Sequence, residues 1–342
     1  MSSDEWQVKG GREIAMKKEI TVLTLCAMLF AFCPPVSAQQ QTKVPKIGWF
    51  RARSVSSSAV SAHEIIRRML RELGYVEGKN IAFEYRYTEG KLDRLSAFAD
   101  ELVGLKVDLL LTSSTAEALA SQNATRTIPI VFYSGSDPVA GGLVESLARP
   151  GGNITGFTFI SPVLAGKRLE LLKETVPNLS RAAMLWESQD PGSAKEWKES
   201  QLPARELGLQ LHSMEVSTDK LDSAFKEAIK ARSTALAVTR SSLINRNQKQ
   251  ITELAAKNRL PAIYARGDFV EGGGLMSYGA DQVEAYRRVA SIVDKILKGR
   301  KPADLPVEQP MKFELIINLK SANQIGLTIP PNVLARPDRV IK

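Results

Sequence analysis

Apolar residues along the chain form short continuous runs, which alternate with longer stretches of mixed apolar and polar residues. Runs such as KIGWF (46–50) and VDLLLTS (107–113) have the length and composition of buried β-strands. Stretches such as 58–73 place isoleucine, leucine and methionine at the spacing of an amphipathic helix. This alternation is typical of parallel sheets that carry helices on both faces. The pattern predicts strands at 46–50, 80–87, 107–113, 181–187, 209–216, 235–239, 275–279 and 313–319, and helices at 58–73, 93–102, 116–122, 164–175, 193–207, 220–231, 247–258 and 282–297.

One phrase occurs twice, 132 residues apart. TIPIVFYSGSDPVAGG (127–142) and RLPAIYARGDFVEGGG (259–274) both begin an apolar run at a proline and end in glycines. The preceding VDLLLTSS (107–114) has a counterpart in TALAVTRSS (234–242). Because the order of the paired phrases is shared, the sequence predicts a duplication. The expected fold class is α/β, with two Rossmann-like lobes joined by a three-segment hinge.

The expected lobe boundaries follow from where the strand–helix rhythm restarts and from a C-terminal part that returns over both lobes. We assign residues 44–157 and 278–306 to the N-terminal lobe, and residues 158–277 and 307–342 to the C-terminal lobe. The hinge segments are expected at 156–161, 276–280 and 305–312.

Residues 1–38 are expected to be an upstream extension and a signal peptide. Met16-Lys17-Lys18 precedes a short apolar run, and Val36-Ser37-Ala38 offers a small-x-small cleavage site after Ala38. The apolar run is shorter than a membrane span needs, so the mature chain is not expected to be membrane-embedded. An uncleaved membrane-tethered helix stays open as an alternative. Whether translation starts at Met1 or Met16 also stays open.

Charge and cysteine usage exclude several classes of function. Cys26 and Cys33 both lie in the segment expected to be removed, which excludes disulfides, Cys metal sites and Cys nucleophiles from the mature protein. The net charge is +9, but basic residues such as Arg67 and Arg287 are distributed over separate predicted helices. A nucleic-acid partner would need clustered charge, so we expect solvated helix faces and no nucleic-acid partner.

Polar residues follow most of the predicted strands, and carboxyl ends of parallel strands form the ligand crevice of open α/β sheets. Each predicted lobe thus offers a polar rim, and two rims that face each other would form a closing cleft. The candidate ligand-binding residues are Ser56, Ser57, Ser113, Ser114, Thr115, Ser134, Asp137, Ser188, Ser241, Ser242, Arg266 and Asp268.

A structural role is open for many of these positions. Helix capping could be the sole role of Ser113–Thr115 and of Ser241-Ser242. Asp137-Pro138 is an ordinary turn sequence. Arg266 could bind a ligand carboxylate in a forked pair or form an ion pair with Asp268. Aromatic residues at strand ends are expected mainly in the core: Trp49, Phe50, Tyr133, Trp186 and Tyr264.

Catalytic signatures are absent from the chain. The two histidines, His63 and His212, lie far apart in unlike contexts, and no G-x-S-x-G elbow or P-loop occurs. We therefore expect no catalytic residues, no metal site and no cofactor. An acid pair such as Asp268 and Glu271 could do general acid–base work, but nothing in the pattern specifies it.

The order of motifs resembles the substrate-binding proteins of bacterial ABC importers, in particular the uncharacterised or tryptophan/tyrosine-type binding components. The resemblance rests on ELGYVEGKNIAFEYR, LARPGGNITGFT, EGGGLMSYG, ILKGRKPADLPVEQP and FELIINLKSANQIGLTIPP, and spans about Val44 to Lys342. It implies a type I periplasmic-binding-protein fold and a periplasmic monomer that traps a small molecule between its lobes. It also implies ABC permease subunits as partners.

Residue by residue, the resemblance is partial. Thr112–Thr115 stands where the family places a helix N-terminus facing a ligand carboxylate, and Asp137 and Asp268 match acidic positions of the family pattern. Amino-acid-binding relatives often have an aspartate in the segment that here reads Thr239–Ser242, and an acid or small polar residue in place of Arg266. These departures argue against an amino acid and favour a carboxylate or another polar acid, with or without an aromatic ring. The expected cargo is therefore a small organic acid, and an amino-acid-like ligand, aromatic or not, stays open.

The sequence therefore predicts a solute-binding component of an ABC importer. Two alternatives stay open. The same fold could serve as a ligand-sensing receptor for a signalling partner, or an exported hydrolase or isomerase could use Asp137, Asp268 and Glu271.

Overall fold

The computed structural model describes residues 43–51, 62–87, 92–135, 137–216 and 220–342, without the side chains of residues 51, 92, 161 and 242. Residues 44–342 form one compact unit that contains two separate β-sheets. Among the described residues, no helix combines the length and the hydropathy that crossing a membrane requires.

The first sheet has five parallel strands in the order β2-β1-β3-β4-β5. The strands are β1 (Lys46–Arg51), β2 (Ala82–Tyr87), β3 (Leu109–Thr112), β4 (Ile130–Ser134) and β5 (Ile154–Thr158). The helices connecting them are α1 (Ala62–Glu72), α2 (Leu95–Gly104) and α3 (Thr115–Ala124). Strands β3, β4 and β5 are buried along their whole length, as expected for a parallel sheet covered on both faces.

The second sheet has seven strands in the order β12-β11-β10-β9-β8-β6-β7, and only the β10–β11 pair is antiparallel. The strands are β6 (Arg181–Glu187), β7 (Gln210–Val216), β8 (Ala235–Val238), β9 (Ala262–Tyr264), β10 (Met276–Ala280), β11 (Phe313–Asn318) and β12 (Arg339–Ile341). The helices of this part are α4 (Ala165–Thr175), α5 (Pro191–Glu206), α6 (Leu221–Lys230), α7 (Ser242–Arg246), α8 (Gln248–Lys257), α9 (Gly267–Glu271), α10 (Gln282–Leu297), α11 (Leu319–Ile325) and α12 (Pro331–Leu334).

The two sheets repeat one topology. The order β2-β1-β3-β4-β5 of the first sheet is matched by β7-β6-β8-β9-β10 in the second. The duplicated phrase supplies β4 and β9, which hold the same place in their sheets. The predicted fold class, two α/β lobes of equivalent topology, is confirmed.

The second copy of the phrase differs from the prediction in one respect. Residues Gly267–Glu271 form the short helix α9, which is not among the helices predicted from the sequence. The reason lies in the backbone: Gly272 N–H bonds to the Asp268 carbonyl, and Gly274 N–H bonds to the Phe269 carbonyl. In the first copy, the corresponding segment after β4 forms turns instead.

Helix α10 packs on the first sheet although its neighbours in sequence, β10 and β11, belong to the second. Tyr286 and Val289 of α10 are buried in the same apolar cluster as Ile47 and Trp49 of β1. The chain thus passes between the sheets after β5, before α10 and again before β11. We call the β1–β5 sheet with α1–α3 and α10 the first lobe, and the β6–β12 sheet with its other helices the second lobe. The residue boundaries given above stay a prediction.

Candidate functional site

The carboxyl ends of the two sheets meet. Arg240 follows β8 in the second lobe, and its guanidinium carbon lies 3.7 Å from the ring centroid of Phe159, which follows β5. A Cβ atom on Gly135, which follows β4, would lie 2.8 Å from Cδ of Arg240. Lys195 Nζ of α5 donates a 2.8 Å hydrogen bond to Asp137 Oδ2 of the first lobe. We call the region between these two edges the cleft.

The serines that follow β3 cap helix α3. Ser114 Oγ accepts a hydrogen bond from the Glu117 backbone N–H, and Glu117 Oε2 accepts bonds from Ser113 N–H at 2.6 Å and Ser113 Oγ at 2.9 Å. This reciprocal pattern is a capping box. Burial raises the pKa of Glu117, and the hydrogen bonds from Ser113 and Ser114 partly offset it. Ser113 and Ser114 are thereby engaged locally, whereas Thr115 is not.

Several polar atoms near the carboxyl edge of the first sheet are buried and make no hydrogen bond of normal geometry with the described residues. They are Trp49 Nε1, Thr112 Oγ1, Thr115 Oγ1, Tyr133 OH, Ser134 Oγ and Tyr286 OH. Each belongs to a side chain that is at most 3 % exposed. A buried hydroxyl without a partner costs roughly 1–3 kcal/mol, and native proteins contain few such groups. A concentration of them at one edge indicates a site for a polar ligand.

Aromatic rings connect this group to the cleft. The ring centroids of Tyr133 and Tyr286 lie 5.8 Å apart in an edge-to-face arrangement, and Phe159 lies 6.0 Å from Tyr286. Burial raises the pKa of Tyr133, with further increases from Tyr286 and Glu117, while a weak hydrogen-bonding contact with Trp49, outside normal geometry, and the Arg266 charge act in the opposite direction. The first-lobe wall of the cleft is therefore aromatic with embedded hydrogen-bonding groups.

The second-lobe wall carries two arginines and one aspartate. Arg266 Nε donates to Asp268 Oδ1 at 2.9 Å, and Arg266 Nη2 donates to Asp268 Oδ2, so the pair is bidentate. Burial alone would raise the pKa of Asp268, but the Arg266 charge outweighs it and lowers the pKa. Burial and the neighbouring Arg266 lower the pKa of Arg240 to about 10. Both arginines remain cationic at neutral pH.

The structure gives local partners to several of the predicted site residues. Ser241 Oγ accepts a hydrogen bond from Ile244 N–H and caps α7. Asp137 Oδ1 accepts bonds from the backbone N–H groups of Val139 and Ala140, while its other oxygen binds Lys195 across the cleft. Burial would raise the pKa of Asp137, but Lys195 and these backbone bonds together lower it. Asp137 therefore joins the two lobes.

The remaining predicted residues divide into three cases. Ser56 and Ser57 lie outside the described residues, as does the side chain of Ser242. Ser188 follows β6 and is partly buried. Thr115 and Ser134 belong to the group of buried hydroxyls without partners described above.

Sequence reasoning missed some residues of the cleft. Tyr286 lies on a helix whose packing on the first lobe is a tertiary feature without a local signal. Arg240 was part of a recognised segment, but only the structure brings it against Phe159. Lys195 has no signal in its helix that points to Asp137. The sequence contained one usable signal, Glu117. Ser114-x-x-Glu117 matches the capping-box pattern and could have predicted that Ser114 caps helix α3.

The family model and a curated relative both describe substrate-binding proteins. The family model described as ABC transporter substrate binding protein matches residues 55–341. A curated tyrosine-binding protein of Clostridioides difficile strain R20291 is 26% identical over 251 residues, which cover 73% of this chain and 72% of that protein.

Two solved structures are similar over most of the chain. The ABC domain of Streptococcus pneumoniae in complex with L-Trp is 27% identical with a TM-score of 0.79, covering 87% of this chain and 99% of that one. The ligand-free, open structure of a substrate-binding protein with adhesive properties from Clostridium difficile is 26% identical with a TM-score of 0.62, at the same coverage of 87% and 99%. At nearly equal identity, the chain is more similar to the complex than to the open structure, which agrees with the contacts across the cleft.

Proposed function

The chain belongs to the ABC transporter substrate-binding protein family, and we propose that it is the exported solute receptor of an ABC importer. The observation that carries this proposal is the group of buried hydrogen-bonding atoms without partners, Thr112, Thr115, Tyr133, Ser134 and Tyr286 among them, opposite Arg240. A solute between the two edges would satisfy these groups.

The proposed mechanism is binding by lobe closure. Closure removes water from the solute, and hydrogen bonds and charge interactions strengthen in the less polar surroundings that result. Two contacts join the lobes: Arg240 stacks on Phe159, and Lys195 donates to Asp137. Both contacts would form as the lobes close. The solute leaves unchanged, and no catalytic role is assigned to any residue.

The proposed location and partners follow from the family. The protein would be exported by the signal peptide expected before Ala38 and would act in the periplasm as a monomer. Its closed form would present both lobes to the permease subunits of the transporter. Ser113, Ser114 and Ser241 would act indirectly, because they fix the helix starts that line the cleft.

The test is to identify what the protein binds. Protein purified without denaturation would be heated, and small molecules released into the supernatant would be identified by mass spectrometry. We expect one solute in roughly equimolar amount, which then stabilises the emptied protein and reduces its radius of gyration in small-angle X-ray scattering. If no solute is released and fractions of a cell extract leave the melting temperature unchanged, the receptor role is wrong.

A further inference from the structure

We propose that the solute is an organic acid with a carboxylate and no ammonium group, and that the guanidinium of Arg240 binds this carboxylate. The inference rests on the proposed solute-binding function and specifies its substrate class. It follows from which charges in the cleft already have partners.

Arg240 is a partly buried cation that makes no ion pair of contact distance with any described residue. Its guanidinium stacks on the Phe159 ring at 3.7 Å, and its Cδ passes directly over Gly135. Its backbone N–H lies 3.4 Å from Glu196 Oε2. Its guanidinium also feels the charge of Asp268 and has a weak hydrogen-bonding contact with Tyr286, but it forms no ion pair with either. A buried charge normally requires a paired and hydrogen-bonded opposite charge. The position of Arg240 between the lobes makes a ligand the natural source of that charge.

The acidic groups around Arg240 are already engaged. Asp268 is held in a bidentate pair by Arg266, and Asp137 by Lys195. Glu196 forms a buried ion pair with Arg168 of α4, in which both side chains are at most 3 % exposed. An amino acid that placed its carboxylate on Arg240 would also bring its ammonium group close to a guanidinium that has no anionic partner. The arrangement therefore favours a solute that carries only negative charge.

One carboxylate offers an alternative anchor for an ammonium group. Glu187 Oε2, at the end of β6, is buried and without a hydrogen-bond partner among the described residues. Burial and, to a lesser extent, the negative charge of Glu187 raise the pKa of Asp190 at the start of α5, so Glu187 lies near another acid of the second lobe. Arg240, in contrast, contacts residues of both lobes. The contacts favour Arg240, and the experiment includes Glu187 as the competing explanation.

The experiment compares pairs of compounds that differ only by the α-ammonium group. The pairs are indole-3-propionate with L-tryptophan, 3-(4-hydroxyphenyl)propionate with L-tyrosine, and succinate with L-aspartate. Isothermal titration calorimetry on the emptied protein should show at least one pair in which the acid binds about tenfold or more tightly than the amino acid, since like charges in a desolvated site repel. An amino acid that binds as tightly as its acid, or binding by no pair, overturns the inference.

Variants of Arg240 and Glu187 test which of the two side chains binds the charged group of the solute. Arg240→Gln should weaken binding of the acid by about 30-fold or more, as truncating one partner of a buried charge pair does, and Arg240→Lys should recover part of the loss. Arg181→Gln, a change of equal charge at the exposed amino end of β6, should leave affinity unchanged. Without ligand, Arg240→Gln should melt at a higher temperature than the wild type, which also shows that it folds. Unchanged affinity in Arg240→Gln, or loss of affinity in Glu187→Gln alone, contradicts the inference.

The solute released from natively purified protein separates this inference from the receptor role. A released compound with an ammonium group overturns the organic-acid assignment and leaves the receptor role intact. Release of no compound counts against the receptor role itself.

Discussion

Replacing Tyr133 by phenylalanine should stabilise the ligand-free protein and weaken it as a receptor. The Tyr133 hydroxyl is buried, the residue is 3 % exposed, and the oxygen makes no hydrogen bond of normal geometry. Tyr133→Phe removes that cost without leaving a cavity larger than one oxygen atom. We expect a gain of about 1–2 kcal/mol in the free energy of unfolding, because an unsatisfied buried hydroxyl costs roughly 1–3 kcal/mol.

The expected shift in melting temperature follows from this gain in the free energy of unfolding and from the length of the chain. At about 2.1 cal/mol/K of unfolding entropy per residue, a unit of about 300 residues shifts its melting temperature by roughly 1.6 °C per kcal/mol, so we expect an increase of about 1.5–3 °C. The ligand loses one neutral hydrogen bond, worth about 0.5–1.5 kcal/mol, so its dissociation constant should rise about 2- to 12-fold. Stability and affinity thus change in opposite directions.

Tyr264→Phe is the matched control. Its hydroxyl is also buried and without a partner, in a residue that is 1 % exposed. The ring stacks on Phe269 with centroids 4.8 Å apart, inside the apolar cluster of the second lobe that includes Phe225 and Ile251. Tyr264→Phe should therefore raise the melting temperature and leave the dissociation constant unchanged.

Differential scanning calorimetry and titration calorimetry on wild type and both variants give the two quantities. A lower melting temperature for Tyr133→Phe would show that its hydroxyl has a partner in the ligand-free protein. Equal affinity in Tyr133→Phe and wild type would show that the hydroxyl does not face the solute. Either result refutes the assignment of these hydroxyls to the ligand.

Further predictions concern the contacts between lobes, one helix cap and one close strand contact. Lys195→Met should lower the free energy of unfolding by less than about 1 kcal/mol, because its ion pair with Asp137 is partly exposed. The same variant should shift the small-angle scattering profile of the ligand-free protein towards an open form. An unchanged profile would contradict this prediction. Burial raises the pKa of Asp190 from 3.8 to about 6, so the fold loses stability as the pH rises from about 4 to about 6 and stays less stable above that range. Asp190→Asn keeps the α5 cap and should be more stable in urea at pH 8, by on the order of 1–3 kcal/mol, with no advantage at pH 4. An advantage independent of pH would refute the assignment. Gly156→Ala should cost about 3 kcal/mol or more, because its Cβ would collide with the Phe132 carbonyl oxygen, whereas Gly104→Ala meets open space and should be neutral in the same unfolding assay.

Most of the fold could be predicted from the sequence because the relevant signals are local. Buried strands such as 181–187 and amphipathic helices such as 282–297 were predicted at the residues where they occur. The duplicated phrase predicted equivalent sheets, since equal sequence patterns favour equal pairing. Strand β12 (Arg339–Ile341) was missed because a three-residue strand at a sheet edge has too few positions for a pattern.

The candidate site was predictable only in its location. Strand ends in a parallel sheet define where a ligand binds, and this rule predicts Thr115 and Ser134 at the cleft edge. Whether a hydroxyl caps a helix or stays without a partner depends on three-dimensional neighbours, as the different outcomes for Ser114 and Thr115 show. The role of Arg240 depends on contacts with the other lobe, which no local pattern contains.

The most direct test of the account is a crystal structure of the natively purified protein with its solute. We predict ligand density between the carboxyl ends of the two sheets, with a carboxylate in hydrogen-bonding contact with Arg240 and polar atoms within reach of Tyr133 and Thr115. Density located elsewhere, or an empty cleft in which these groups bond to one another, would contradict it.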